Sequence, residues 1–126
     1  MSEHEVQATV VQYIQVRYPD VLFHSIPNGA RLASGKDNRI AIMRMNILKS
    51  EGLLPGVCDL FLAEARGYFN GFYLELKTDK GKLSENQEWF IASVEKKGYY
   101  TAVCFGVDEA IEMIDQYMGW PETSSK

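Results

Sequence analysis

The segment Phe72-Tyr73-Leu74-Glu75-Leu76-Lys77 constrains this chain most. In a strand, successive side chains point to opposite faces. Phe72, Leu74 and Leu76 can therefore enter a core, while Tyr73, Glu75 and Lys77 share the other face. A carboxylate and an ammonium then stand side by side on a strand whose back is apolar. Asp59 lies on the preceding strand-like run, just after the turn at Pro55-Gly56. A hairpin between the two runs, with Gly67, Asn70 and Gly71 in its loop, could bring Asp59 beside Glu75. Two carboxylates converging on a strand pair suit Mg²⁺ or Mn²⁺, with the backbone carbonyl of Leu76 as a further oxygen ligand. Lys77 could then hold an attacking water or stabilise developing negative charge. Taken alone, Glu-x-Lys on a strand mostly describes a solvated face with a surface ion pair, and Asp59 after a Gly-containing turn brings the two readings level.

The rest of the chain reads as one α/β domain over residues 1–120, followed by a polar tail at 121–126 expected to be disordered. Ser2 and Glu5 have capping-box spacing and open a helix to about Tyr18, with Val6, Val10 and Tyr13 on one face. Val21 to Ile26 reads as a short strand, and Pro27-Asn28-Gly29 as a turn. Asp37 to Glu51 reads as a second helix with Ile40, Met43, Ile47 and Leu48 as its apolar stripe. Val57 to Ala63 and Gly71 to Thr78 read as strands. Ser84 and Gln87 repeat the capping-box spacing before a helix that ends at Gly98. Tyr99 to Phe105 reads as a strand, and Asp108 as the cap of a last helix. The order is α-β-α-β-β-α-β-α, a mixed sheet flanked by helices.

Charge needs a closer look for any nucleic-acid reading. The 126 residues carry a net charge of −4, and phosphate backbones reward Lys and Arg. The charge is unevenly spread, however. From Asn28 to Lys49 the ionisable residues are Arg31, Lys36, Asp37, Arg39, Arg44 and Lys49, so a local basic segment exists. Asn28 and Gly29 could approach a DNA backbone or form an ordinary turn. The basic residues could contact phosphates or form a solvated face. Cys58 and Cys104 have no zinc-ligand spacing and read as buried free thiols, though sequence leaves a disulfide open. His4 and His24 read as solvated or core residues. Trp89, Phe90 and Tyr99-Tyr100 read as core, and Trp120 as a residue that could seal a subunit contact. No signal peptide or long apolar stretch points to export or a membrane.

A set of residues in order along nearly the whole chain carries a family resemblance. It comprises Glu5, Pro27-Asn28-Gly29, Gly52-Leu53-Leu54-Pro55-Gly56-Val57-Cys58-Asp59-Leu60, Glu75-Leu76-Lys77, Gly81-Lys82-Leu83-Ser84 and Gln87. With these the chain resembles the VRR-NUC family, the virus-type replication-repair branch of the PD-(D/E)xK nucleases. The resemblance implies a restriction-endonuclease-like core, a metal bound by Asp59 and Glu75, and Lys77 as the catalytic lysine. It implies that Glu5 and Gln87 complete the site, Glu5 as a possible second-metal ligand. Both also fit as capping-box partners, and one side chain in one rotamer is expected to fill only one of these roles. Asn28, Gly29, Arg31, Lys36, Arg39, Arg44, Lys49, Lys80 and Lys82 are the expected DNA contacts. Small standalone members resemble dimeric four-way-junction resolvases, which implies a homodimer acting on branched DNA in a bacterial or phage-infected cytoplasm. The sequence departs from the family at Cys58, where Pro usually precedes the catalytic Asp, so the turn geometry there is open. The competing readings are a non-catalytic nucleic-acid-binding module on the same fold and a protein-interaction domain.

Overall fold

In the computed structural model, residues 1–27 and 37–123 are described. The elements are α1 (Glu3–Arg17), β1 (Phe23–Ser25), α2 (Asn38–Ser50), β2 (Leu60–Leu62), β3 (Phe72–Lys77), α3 (Glu85–Glu95), β4 (Tyr100–Phe105) and α4 (Val107–Met118). They match the expected order. The strands form one sheet in the order β1-β2-β3-β4. The first two pairings are antiparallel and the third is parallel. The parallel pairing requires a crossover, and α3 supplies it.

The alternation in β3 assigns the two faces. Leu60, Leu62, Phe72, Leu74, Leu76, Ala102 and Cys104 are buried on one face beneath Val6, Val10 and Ile14 of α1 and Ala110, Ile114 and Tyr117 of α4. On the other face Tyr73 packs with Cys58 and with Phe90 and Val94 of α3. Sheet and helices thus form three layers, and the face under α3 carries Glu75 and Lys77. Both cysteines are buried free thiols.

Some local readings change in tertiary context. The α1 stripe runs through Val6, Val10 and Ile14. Tyr13 instead donates its hydroxyl hydrogen bond to Asp115 of α4, at 2.7 Å from Oδ1. The last helix is capped by Gly106, with Asp108 inside its first turn. Three of the four expected stripe residues of α2 face out: Ile40, Met43 and Ile47 are 40%, 57% and 52% exposed. Ala41, Met45 and Leu48 are the half-buried positions. This helix is apolar at seven of the ten positions from Arg39 to Leu48, so its periodicity left more than one inward face available.

Three aromatic expectations resolve differently. Phe90 is buried as expected, but Trp89 is 58% exposed. Trp120 packs within the chain, against Phe69, Tyr100 and Tyr117, rather than offering a free subunit surface. The chain beyond it is held through Thr123, contrary to the expected loose tail. Gly67 donates to the Pro121 carbonyl, Thr123 to that of Ala65, and Arg66 forms an ion pair with Glu122. These partners sit in the β2–β3 loop, which the composition of the tail could not reveal. Residues 124–126 lie outside the described residues. No helix among the described residues is long and apolar enough to cross a membrane.

Candidate active site

Asp59 reaches the site because the sheet register puts it there. Leu60 pairs with Leu74 and Phe61 with Tyr73, so one further step along the ladder sets Asp59 opposite Glu75. The ladder opens at this step. The Leu76 amide donates to Asp59 Oδ2 at 2.7 Å instead of to a backbone carbonyl. The Asp59 backbone stays in the sheet on its other side, accepting from the Ile26 amide at 2.9 Å. The carbonyls of Gly71 and Lys77 accept from Tyr100 and Gly106 on the β4 side. Strand alternation therefore turns the Leu76 carbonyl towards β2, where Asp59 stands.

Glu75 is the one buried charged residue among those described, at 2% exposure. Its Oε2 receives two charge-assisted contacts, from Lys77 Nζ at 3.2 Å and Gln87 Nε2 at 2.8 Å. Its Oε1 is buried without a hydrogen-bond partner among the described residues. Burial first, and then the charge of Asp59, pushes the Glu75 carboxyl up to about 7. The Asp59 carboxyl is also raised, by burial, against the Leu76 amide that favours its ionised form. Beside them the Cys58 thiol is pushed up to about 12, mainly by burial, and stays neutral. At the position where the family usually has proline, it acts as a small core residue against Phe90 and Val94.

Gln87 fills both roles that the sequence set against each other. Its Oε1 accepts the Ser84 amide at 3.0 Å, completing the capping box, while its Nε2 donates to Glu75. The primary amide has an acceptor end and a donor end, so one rotamer serves both. The capping box thereby fixes the group that holds Glu75.

Glu5 and Glu3 sit differently from expectation. Glu3 shares a helix face with Val6 and Val10, at i+3 and i+7, and Glu5 lies on the opposite side. Glu3 is the first-helix residue whose charge raises both Asp59 and Glu75. Glu3 and Glu5 are both exposed, and the Glu5 amide donates to Ser2 Oγ. Family spacing pointed to Glu5, whereas the buried stripe, read backwards by one turn, would have pointed to Glu3.

Of the expected DNA contacts, Asn28, Gly29, Arg31 and Lys36 lie outside the described residues. Arg39, Arg44 and Lys49 are exposed on α2. Arg39 also pairs weakly with its own cap, Asp37, at 3.9 Å. Lys80 and Lys82 are exposed on the segment that follows Lys77.

The donor set suits a hard divalent cation. Two carboxylates, one with a buried unpaired oxygen, and a backbone carbonyl turned the same way are oxygen donors of the kind Mg²⁺ and Mn²⁺ take. Among the described residues, no group of three or more His, Cys, Asp or Glu side chains is placed to hold a metal ion.

The raised carboxyls give a stability prediction for the metal-free protein. Glu75 holds its proton in the folded state up to about pH 7 but loses it near 4.5 when unfolded. Between those values the folded chain binds more protons, so stability falls as pH rises. The loss is at most about 3 kcal/mol, or roughly 10 °C in melting temperature. Thermal melts in chelator should show a lower Tm at pH 8 than at pH 5.5. Mn²⁺ should restore Tm far more at pH 8, where both carboxylates are ionised. A flat pH profile would contradict the burial argument.

Asp59, Glu75 and Lys77 thus stand at the opened end of an antiparallel strand pair, in a mixed sheet with helices on both faces. The chain belongs to the VRR-NUC domain family, which matches residues 1–108, a family generally of nucleases. A solved structure described as a VRR_NUC domain protein has the same fold. It superposes with a TM-score of 0.78 at 23% identity, over 98% of this chain and 93% of its own. Among curated proteins, none matches the chain.

Proposed function

We propose that this chain is a metal-dependent, structure-specific DNA endonuclease that hydrolyses phosphodiester bonds in branched DNA such as four-way junctions. The observation that carries the reading is the Glu75 carboxylate, buried and held by both Lys77 and Gln87 while one oxygen stays unpaired. Leaving a buried carboxylate oxygen unsatisfied costs stability, so a fold that does it at a strand opening is arranged for a ligand.

Asp59, Glu75 and the Leu76 carbonyl would hold Mg²⁺ or Mn²⁺. When bound, such an ion neutralises phosphate charge and acidifies a water. The Leu76 amide orients Asp59 by holding its Oδ2. Gln87 orients Glu75 and, as a neutral donor, leaves the carboxylate charge intact. Lys77 places a positive charge where the pentacoordinate phosphate gathers negative charge. Glu3 adds a further negative charge that raises both carboxyls. The exposed Lys80, Lys82, Arg39, Arg44 and Lys49 supply phosphate contacts that the net negative charge alone would not provide. A twofold dimer would present two such sites to a twofold junction. With two free thiols, the reducing cytoplasm of a bacterial or phage-infected cell suits the chain.

The test is cleavage of a labelled four-way junction beside duplex, flap and single strand, in Mg²⁺, Mn²⁺ or EDTA, with Asp59→Ala as control. Junction cutting that requires metal and is lost in the variant supports the reading, and light scattering of the active species reports the dimer. Binding without cutting under every condition would replace it with a non-catalytic nucleic-acid-binding module.

A further inference from the structure

The sheet has two edges, β1 and β4, and the chain treats them differently. β1 is three residues long and runs on through Ile26 into Pro27. A short strand and a nearby proline are two of the ways in which natural sheets blunt an edge. β4 is six residues long, Tyr100 to Phe105, and contains no Lys, Pro or Gly. The parallel ladder fixes its inner side. The Tyr100 amide donates to the Gly71 carbonyl, and the Gly106 amide to that of Lys77. Alternate residues of a strand bond to the same neighbour. Tyr100, Ala102 and Cys104 therefore bond towards β3, while Thr101, Val103 and Phe105 turn their amides and carbonyls outwards. Among the described residues these outward groups have no backbone hydrogen-bond partner.

The charges around this edge are reciprocal. The strand itself carries none. The exposed Lys96 and Lys97, with Glu95 beside them, stand before its first residue. The exposed Glu109 stands after its last, close enough to β4 for its charge to raise the Cys104 thiol. The other acid of that turn, Asp108, faces α1, where it shares a cavity wall with Val6 and Thr9. Asp115 is likewise held on the α1 side by Tyr13 and Tyr18. One end of the open edge is thus basic and the other acidic. Antiparallel pairing with the same edge brings unlike ends together twice, whereas parallel pairing would bring like ends together.

We propose that the free edge of β4 pairs antiparallel with the β4 edge of a second copy of this chain, about a twofold axis at Val103. The two four-stranded sheets then become one. The proposal rests on the nuclease reading for its purpose and gives the twofold dimer of that reading its contact surface. Val103 meets Val103 of the second copy, and Thr101 meets Phe105. Each such pair exchanges two hydrogen bonds, so every outward amide and carbonyl of both strands is used. Phe105, 40% exposed in the single chain, is covered. α3 and α4 pack over β4 on its two faces and widen the contact beyond the strands. The twofold axis stands perpendicular to the sheet, so each copy keeps its Glu75 on the same face. Val103 is the neighbour of Glu75 in the β3–β4 register. The two Glu75 residues are thus three strand spacings apart, about 14 Å, with opposite chain polarity. Paired sites of opposite polarity on one face suit paired cuts in a twofold substrate.

The test needs neither metal nor DNA. Sedimentation velocity of the full chain in EDTA should show a dimer. Val103→Pro removes an outward amide that serves no bond within the chain, at an edge position where proline is tolerated. It should weaken association about thirtyfold or more, through the bonds lost at the centre of the pairing, while circular dichroism still shows a cooperative melt. Cysteine variants check the register and decide alone if Val103→Pro fails to fold. Val103→Cys should form an intermolecular disulfide in oxidised glutathione, because hydrogen-bonded pairs hold their Cα atoms about 5.5 Å apart. Thr101→Cys should not, because its counterpart lies four residues along the strand, about 13 Å away. The wild type, whose two thiols are buried, supplies the baseline. A monomeric wild type, a dimer unaffected by a folded Val103→Pro, no cross-link in Val103→Cys, or equal cross-linking of both cysteine variants would overturn the interface. A dimer with this register that cuts no DNA keeps the interface and loses the nuclease reading, while a monomer that cuts does the reverse.

Discussion

Lys77→Ala is expected to abolish DNA cleavage, lowering the single-turnover rate by about 10²–10³-fold or more, the loss seen when one charge-stabilising group is removed. The Lys77 side chain is 11% exposed and its ammonium lies 3.2 Å from Glu75 Oε2, so it acts in a partly dry site where its charge is weakly screened. Its removal also leaves Glu75 with only Gln87 as donor, which drives the already raised carboxyl further up. The fold should persist, because the strand position is held by backbone: the Lys77 carbonyl still accepts from Gly106 at 3.1 Å. Lys77→Arg should not rescue. The compact ammonium that meets Glu75 Oε2 would be replaced by a longer planar fork with different donor directions. Circular dichroism melts beside cleavage kinetics check both halves. A folded Lys77→Ala protein cutting at the wild-type rate would remove the lysine from the mechanism.

The second large effect falls on stability, at Gly56. Gly56→Ala should destabilise the fold by about 3 kcal/mol or more, from two additive causes. The residue has φ +96, a region that L side chains rarely adopt, and its Cβ would meet the Asn86 backbone at 2.5 Å. Backbone cannot move aside as a side chain can. Relief requires the turn and the start of α3 to separate, and Gln87, one residue on, would be drawn from Glu75. Cleavage should therefore fall together with stability. Gly52→Ala is the control. It has a similar φ of +103 but open space around the added Cβ, so only the conformational cost of about 1–2 kcal/mol applies and the site is untouched. Urea denaturation of both variants separates the two terms, and equal losses would show that the contact with Asn86 is unimportant.

The sheet and much of the site were legible from residue patterns. The alternation Phe72 to Lys77 separated the side chains that face α1 and α4 from Tyr73, Glu75 and Lys77 on the other face without any knowledge of neighbours, because a pleated strand has a period of two. Ser84 with Gln87 marked the start of α3, because helix amides must be capped locally. The hairpin loop made the Asp59–Glu75 approach possible, but the nine residues between Leu62 and Phe72 leave the register to the packing of the sheet.

Other features depended on contacts distant in sequence. The side of α1 that meets the site is set by its packing on the sheet and α4, and that packing chose Glu3's face over Glu5's. The same limit hid the inward face of α2, whose apolar residues surround most of the helix. Gln87's second bond requires the start of α3 to lie over β3, an arrangement created by the parallel crossover to β4. The raised Glu75 carboxyl requires both burial and Asp59 beside it. Local sequence thus determined which residues form each element and which faces are apolar, because propensity, capping and periodicity act within a few residues. Only the tertiary structure decided which charges share a dry space, because burial and electrostatics depend on separation in space rather than along the chain.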